Sequence, residues 1–185
     1  SRGSSPSVRN TGELKVQQLP GQGVVVVGLT EVAVTSKDQT LRLIDAGMRQ
    51  RTTGSTAMNQ ASSRSHCIFT FKTSITDHEG VARRSQTHMV DLAGSERAGR
   101  TLAQGERLKE GGAINKSLTT LSSVIRALAE TADGKRSSLP PFRDSKLTYI
   151  LKESLSGNSK TIMMAAISPS LEDHEETMST LRFAT

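Results

Sequence analysis

An α/β layered architecture is the prediction for this chain of 185 residues. Two observations make it: strand-like runs alternate with amphipathic helical patterns, and no internal repeat interrupts the alternation. The length is that of one ordinary domain, able to bury a single core. A hydrophobic content of 34% and an aromatic content of 3% are low for a self-sufficient domain, so its apolar faces expect further protein against them.

The elements follow in order. Residues 1–11 are rich in Ser, Pro and Gly and read as a disordered loop entered midway. Leu14 to Val34 is strand material, turned at Pro20-Gly21-Gln22-Gly23 and containing the β-branched run Val24 to Val27. Ser36 and Gln39 have capping-box spacing and introduce a helix with Leu41, Ile44 and Met48 on one face. Arg51 to Ser62 turns polar and small and reads as a loop. His66 to Thr76 alternates as a strand, Asp77 to Gly80 makes a hairpin turn, and Gln86 to Leu92 is the returning strand. A Gly-punctuated loop is expected over Gly94 to Gly112. Ile114, Leu118, Leu121, Ile125 and Leu128 then mark an amphipathic helix. Asp133 to Pro141 is a loop closed by two prolines. Leu147, Leu151 and Leu155 stand four apart on a helix that ends at Gly157. Thr161 to Ile167 reads as a buried strand, and a last helix begins near Asp173.

Charge and cysteine usage narrow the function classes. The net charge of +6 favours an acidic partner: nucleic acid, an anionic membrane or an acidic protein surface. Cys67 is the only cysteine, so no intrachain disulfide and no Cys-based zinc site can form, and a reducing intracellular compartment is the default. No apolar stretch approaches the ~18 residues of a membrane span. Tyr149 and the four Phe are not interleaved with the cations, so no base-stacking platform for nucleic acid is evident. The four histidines show no metal-ligand grouping.

Two polar clusters carry the chemistry. Asn59-Gln60-Ala61-Ser62-Ser63-Arg64-Ser65-His66 leads into one strand, and Asp91-Leu92-Ala93-Gly94-Ser95-Glu96 ends the next. A carboxylate at Asp91 can hold Mg²⁺ through a water, and Gly94 lets a backbone N–H approach a terminal phosphate. The Ser hydroxyls are small neutral partners for a metal or a water, and the planar fork of Arg64 suits a carboxylate, for which Glu96 is the candidate. Alone, D-x-x-G also fits a strand-end turn, and a Ser-rich loop also fits capping; together they read as a γ-phosphate sensor. No G-x-x-x-x-G-K-[ST] phosphate loop is present in the chain.

N-x-x-S-S-R-S-H followed by D-L-A-G-S-E resembles the switch I and switch II signatures of the kinesin motor domain. Gly112 to Leu118, Pro141 to Thr148 and Thr177 to Ala184 are similar to three further motifs of that family, in the same order. The resemblance implies a three-layer, P-loop NTPase-type central mixed β-sheet with helices on both faces. Residues 1–185 would be the C-terminal part of one motor domain. The missing N-terminal half would hold the first strands and the phosphate loop, and without it the chain is expected to be inactive and unstable.

Residue by residue, the resemblance implies Ser62 near Mg²⁺ and Ser63 positioning the attacking water of ATP hydrolysis. Asp91 would hold Mg²⁺ in its outer shell, and the Gly94 N–H would sense the γ-phosphate. Arg64 and Glu96 would bridge to close the site, Asn59 would support switch I, and Asn115 would link switch II to its helix. Tubulin is strongly acidic, so the resemblance also puts forward Lys116, Lys135, Arg136, Arg143, Lys146 and Lys152 as microtubule contacts. The implied protein is a microtubule-stimulated ATPase on the cytoplasmic cytoskeleton, with ATP and Mg²⁺ as ligands and neither nucleic acid nor membrane as direct partners. The alternative is a kinesin-like module that binds microtubules without hydrolysis. Direction, cargo, processivity and oligomeric state have no signature in these residues.

Overall fold

The computed structural model describes residues 14–53, 65–94, 106–134 and 139–184. Residues 1–11, expected as a loop, lie outside them. The chain divides into two compact units, one of residues 1–32 with 115–185 and the other of residues 33–114.

In the first unit, β1 (Lys15–Leu19) and β2 (Gly23–Val27) form an antiparallel hairpin with Lys15 opposite Val27. The turn lies at Pro20 to Gln22, with the Gln22 N–H donating to Leu19 O at 3.2 Å. The strand expected to continue to Val34 stops instead at Val27. Gly28 takes φ of +85°, a left-handed conformation that breaks an extended run. The hairpin packs against two short helices, α3 (Lys146–Ile150) and α4 (Lys152–Ser156).

These two helices were read from sequence as one. Leu151, with φ −84° and ψ 3°, separates them, yet its N–H still donates to Leu147 O and its carbonyl still accepts from the Leu155 N–H, both at 3.0 Å. The Leu face therefore survives the break, with Leu147 and Leu151 buried. At the end, Gly157 is required by contact rather than by a left-handed φ. A Cβ there would lie 2.5 Å from the Glu153 carbonyl oxygen.

Helix α2 (Glu106–Ala132) starts well before the expected position, so Glu106 to Gly112 is helical rather than loop. Its deepest face is Thr120, Leu121, Val124 and Ala127, and Val124 is fully buried. The residues picked from periodicity alone, Leu118, Ile125 and Leu128, flank that face half-buried. Burying one such Val is worth ~2 kcal/mol. The last helix, α5 (His174–Ala184), follows a 3₁₀ turn at Leu171–Asp173. Thr177 Oγ1 ties it back by donating to Ser168 O at 3.1 Å.

The second unit holds α1 (Lys37–Thr53) and the hairpin of β3 (Cys67–Thr76) with β4 (Ala82–Asp91). Ser36 caps α1 as expected, its Oγ accepting from the Gln39 N–H at 3.2 Å. The Gln39 side chain reaches one residue further than a capping box, to the Thr35 N–H at 3.1 Å. Contrary to the loop expected from Arg51, α1 runs on to Thr53 and carries Arg51 in its last turn. Asp77 Oδ1 accepts from the N–H groups of Glu79 (3.0 Å) and Val81 (2.9 Å), closing the hairpin turn read from sequence.

One expected element is absent. Thr161 to Ile167 is not a strand, and it is exposed rather than buried, with Ile162 at 86% and Met164 at 91%. A strand is defined by its neighbours, and among the described residues none pairs with this run. Among the described residues the strands form two two-stranded sheets, part of the sheet expected for the whole fold.

Thr148 holds the approach to α3. It is fully buried, and its Oγ1 lies 2.8 Å from Phe142 O and 3.1 Å from Ser145 O, which anchors the 3₁₀ turn Phe142–Asp144. Thr148→Val keeps the shape and strands a buried carbonyl, so it should cost about 1–3 kcal/mol in chemical denaturation of the full-length protein. An unchanged midpoint would remove the hydroxyl from this role.

Candidate functional site

The ends of β3 and β4 lie side by side because the register places Cys67 opposite Asp91. The residues just outside that pair, His66 and Ala93, belong to the two polar clusters. The buried Ala93 N–H donates to His66 Nδ1 at 3.0 Å. A backbone N–H can only donate, so Nδ1 is the unprotonated nitrogen of the ring. Burial, and after it the Arg51 guanidinium, lowers the His66 pKa.

Arg51 binds both clusters from the end of α1. Its Nε donates to Ser65 Oγ at 3.1 Å, one terminal nitrogen to Ser65 O at 2.6 Å, and the other to Asp91 Oδ2 at 2.6 Å. The Arg51 side chain is only 9% exposed, whereas that of Asp91 is 64% exposed. One buried cation thus joins the strand entry of the first cluster to the carboxylate of the second. Sequence reading missed it: Arg51 belongs to neither motif and reaches Asp91 across 40 positions. Its only sequence signal was a cation closing an amphipathic helix.

Of the residues expected at the nucleotide, Asp91 and the half-buried Gly94 fall in this arrangement. Asn59, Ser62, Ser63, Arg64 and Glu96 lie outside the described residues. Asn115 is half-buried on α2 and belongs to the other unit. Among the described residues no group of three or more His, Cys, Asp or Glu side chains could cage a metal. A lone exposed carboxylate of this kind fits Mg²⁺, which keeps several waters and takes one or two carboxylates alongside phosphate oxygens.

A second candidate surface lies in the first unit. An open recess of about 330 Å³ is lined by Lys15 and Val16 of β1 and by Arg143, Ser145, Lys146 and Tyr149. Ser145 caps α3 by accepting from the Leu147 N–H at 3.1 Å, which sets where Lys146 begins the helix. The Arg143 guanidinium lies 5.5 Å from the centre of the Tyr149 ring, an attractive cation–π placement. Of the six cations expected as microtubule contacts, the recess brings Arg143 and Lys146 together, and Lys15, which no motif marks, joins them. Lys116 is exposed and Lys152 half-buried, while Lys135 and Arg136 lie outside the described residues.

The kinesin motor domain family model matches residues 4–185. Kinesin-related protein 1 of Dictyostelium discoideum is 51% identical over 97% of this chain, which spans 8% of that protein. Among solved structures, a KIF14 dimer in the two-heads-bound state with AMP-PNP, in complex with a microtubule, is 44% identical with a TM-score of 0.85. That match covers all of this chain and 51% of the KIF14 chain. A structure of a fast kinesin, described for its ATPase mechanism and interactions with microtubules, is 47% identical with a TM-score of 0.80, covering 92% of this chain and 47% of the other.

The His66 contact makes stability sensitive to acid. A folded pKa below the ordinary 6.5 means that the unfolded chain takes up the proton first. Stability should therefore fall as pH drops through about 6.5 and continue to fall to the lowered value. His88, whose Nδ1 lies 2.9 Å from Thr70 Oγ1 and whose pKa burial also lowers, adds in the same sense. Urea midpoints of the full-length protein should decline between about pH 7 and pH 5, and His66→Gln should flatten that decline. An identical slope in the variant would exclude His66 as a source.

Proposed function

The chain belongs to the kinesin motor-domain family, with its P-loop NTPase-type fold, and from that premise we propose that it supplies the nucleotide switches and the track surface of a microtubule-stimulated ATPase. The observation that carries the proposal is the junction of the two clusters: Ala93 to His66, and Arg51 to both Ser65 and Asp91. A site that must report the presence of a terminal phosphate needs two loops fixed to one frame, so that a shift in one is felt by the other.

Mg²⁺, when bound, neutralises charge on the phosphates. The residues of the chain do the rest by position. The Asp91 carboxylate lies at a strand end, where it would accept from a metal-bound water, and Gly94 would let a backbone N–H approach the terminal phosphate. Ser62 would help hold the metal, and Ser63 would orient the attacking water. Arg64 with Glu96 would close the site, Asn59 would support the loop, and Asn115 would link switch II to its helix. Catalysis of this kind rests on placement and electrostatics rather than on a covalent intermediate.

The partner on the other surface is the acidic face of tubulin, met by Lys15, Arg143 and Lys146 around the recess and by Lys116 and Lys152. This reading places the protein on microtubules of the cytoplasm.

In the full-length protein, Arg64→Ala and Glu96→Ala should each abolish microtubule-stimulated ATP turnover; wild-type turnover in either would remove the bridge. Lys15→Ala, Arg143→Ala and Lys146→Ala should each weaken microtubule co-pelleting about three- to fivefold at low salt. The difference should fade as the Debye length shrinks towards about 3 Å near 1 M salt. Salt-independent co-pelleting would overturn the electrostatic interface.

A further inference from the structure

Three cations line the recess of the first unit from three different elements: Lys15 from β1, Arg143 from the 3₁₀ turn Phe142–Asp144 and Lys146 from the start of α3. All three are exposed, and no acidic residue lines the recess with them. Among the described residues none of the three has a carboxylate within ion-pair distance; the ion pairs of Asp45 with Arg49 and of Asp91 with Arg51 both belong to the other unit. The Tyr149 ring, 5.5 Å from the Arg143 guanidinium, gives that cation a fixed wall to lie against. Ser145 Oγ accepts from the Leu147 N–H at 3.1 Å, which leaves its own O–H proton for another acceptor. Like charges gathered around one concavity repel one another, and an anion bound there relieves the repulsion.

We propose that the recess is a binding site for a small anion carrying two or more phosphate groups, and that such an anion contends with the acidic track for the same cations. The binding follows from the recess itself; the contention rests on the track reading above. A volume of about 330 Å³ lies at the lower end of the roughly 300–1,000 Å³ of small-ligand pockets. A phosphate offers three acceptor oxygens that point apart, which suits donors arriving from three elements; the two oxygens of a carboxylate share one plane. The planar fork of Arg143 can engage two phosphate oxygens at once, and the lysines add compact point charges. Charge sets the number of groups. One phosphomonoester brings about −1.5 to −2 at pH 7, so two are needed to neutralise three cations.

The test is calorimetric titration of the full-length protein with inositol trisphosphate, without microtubules and with Mg·ADP in excess to fill the nucleotide site. Lys15→Gln, Arg143→Gln and Lys146→Gln should each raise the Kd about three- to fivefold, the scale of one exposed charge pair. Arg126→Gln and Lys160→Gln remove exposed cations of the same unit that lie outside the recess, and should leave the Kd unchanged. Equal losses in all five variants would mean diffuse attraction to a positive surface and would overturn the site. A second arm replaces the soluble compound with vesicles containing phosphatidylinositol bisphosphate. Capture by vesicles alone, weakened by the same three variants, would assign the phosphates to a lipid headgroup; binding of the soluble compound would show that no lipid is required. Binding in neither arm would overturn the site and leave the track reading intact. In co-pelleting at fixed ionic strength the compound should displace the protein from microtubules, and binding without displacement would overturn the contention alone.

Discussion

The site depends on the register of one antiparallel strand pair. Side chains alternate along a strand with a period of two, so a slip of one residue turns every one of them to the opposite face. With Cys67 opposite Asp91 and Thr76 opposite Ala82, His66 comes level with the Ala93 N–H, and Asp91 emerges where Arg51 can reach it. The register is set at the far end, by the Asp77 carboxylate accepting from two backbone N–H groups and by the Gly80 N–H donating to Asp77 O at 3.1 Å. It is reinforced midway by the cross-strand contact of Thr70 with His88. A turn nearly ten residues from the polar clusters thus determines which of their groups meet.

Local signals made much of the fold legible. The β-branched run at Val24, the cap at Ser36 and the turn at Asp77 all depend on neighbours in sequence, and each produced its element, while the Leu spacing of 147, 151 and 155 gave the buried face but not the break at Leu151. What stayed hidden depends on partners distant in the chain. Thr161 to Ile167 has the composition of a central strand but no neighbour among the described residues to hydrogen-bond with. Gly111 and Gly112 read as loop residues because their cost in a helix interior is roughly 1 kcal/mol each; α2 passes through them all the same.

The candidate site divides in the same way. Asp91 and Gly94 were legible because a motif places them at a strand end, as was the pairing of Arg143 with Lys146 inside one short segment. Arg51 and Lys15 were not, because each enters its site from an element with no motif of its own. Much of the remaining apolar exposure has a related origin. Ile162, Met164 and Leu171 are each more than 85% exposed, and the chain spans about half of the solved motor chains it matches. A core that size-scaling requires for a whole domain is only partly assembled from these residues.

On the proposed function the charges of the chain would serve two purposes, and burial separates them. Arg51 is sheltered and has an acceptor for each of three guanidinium nitrogens, so its interaction is short-ranged, geometric and little affected by salt. Arg143 and Lys146 are exposed, with water around them, so each is individually weak and acts through summed potential. A switch needs the first kind, because it must choose between two discrete arrangements. A surface that repeatedly grips and leaves an acidic track, as proposed for Arg143 and Lys146, would need the second, because an interaction made of many screened charges can be broken without paying for the desolvation of any one of them. Exchanging Arg51 for an exposed cation, or burying Arg143, would give each task the wrong electrostatics, even with the net charge of +6 unchanged.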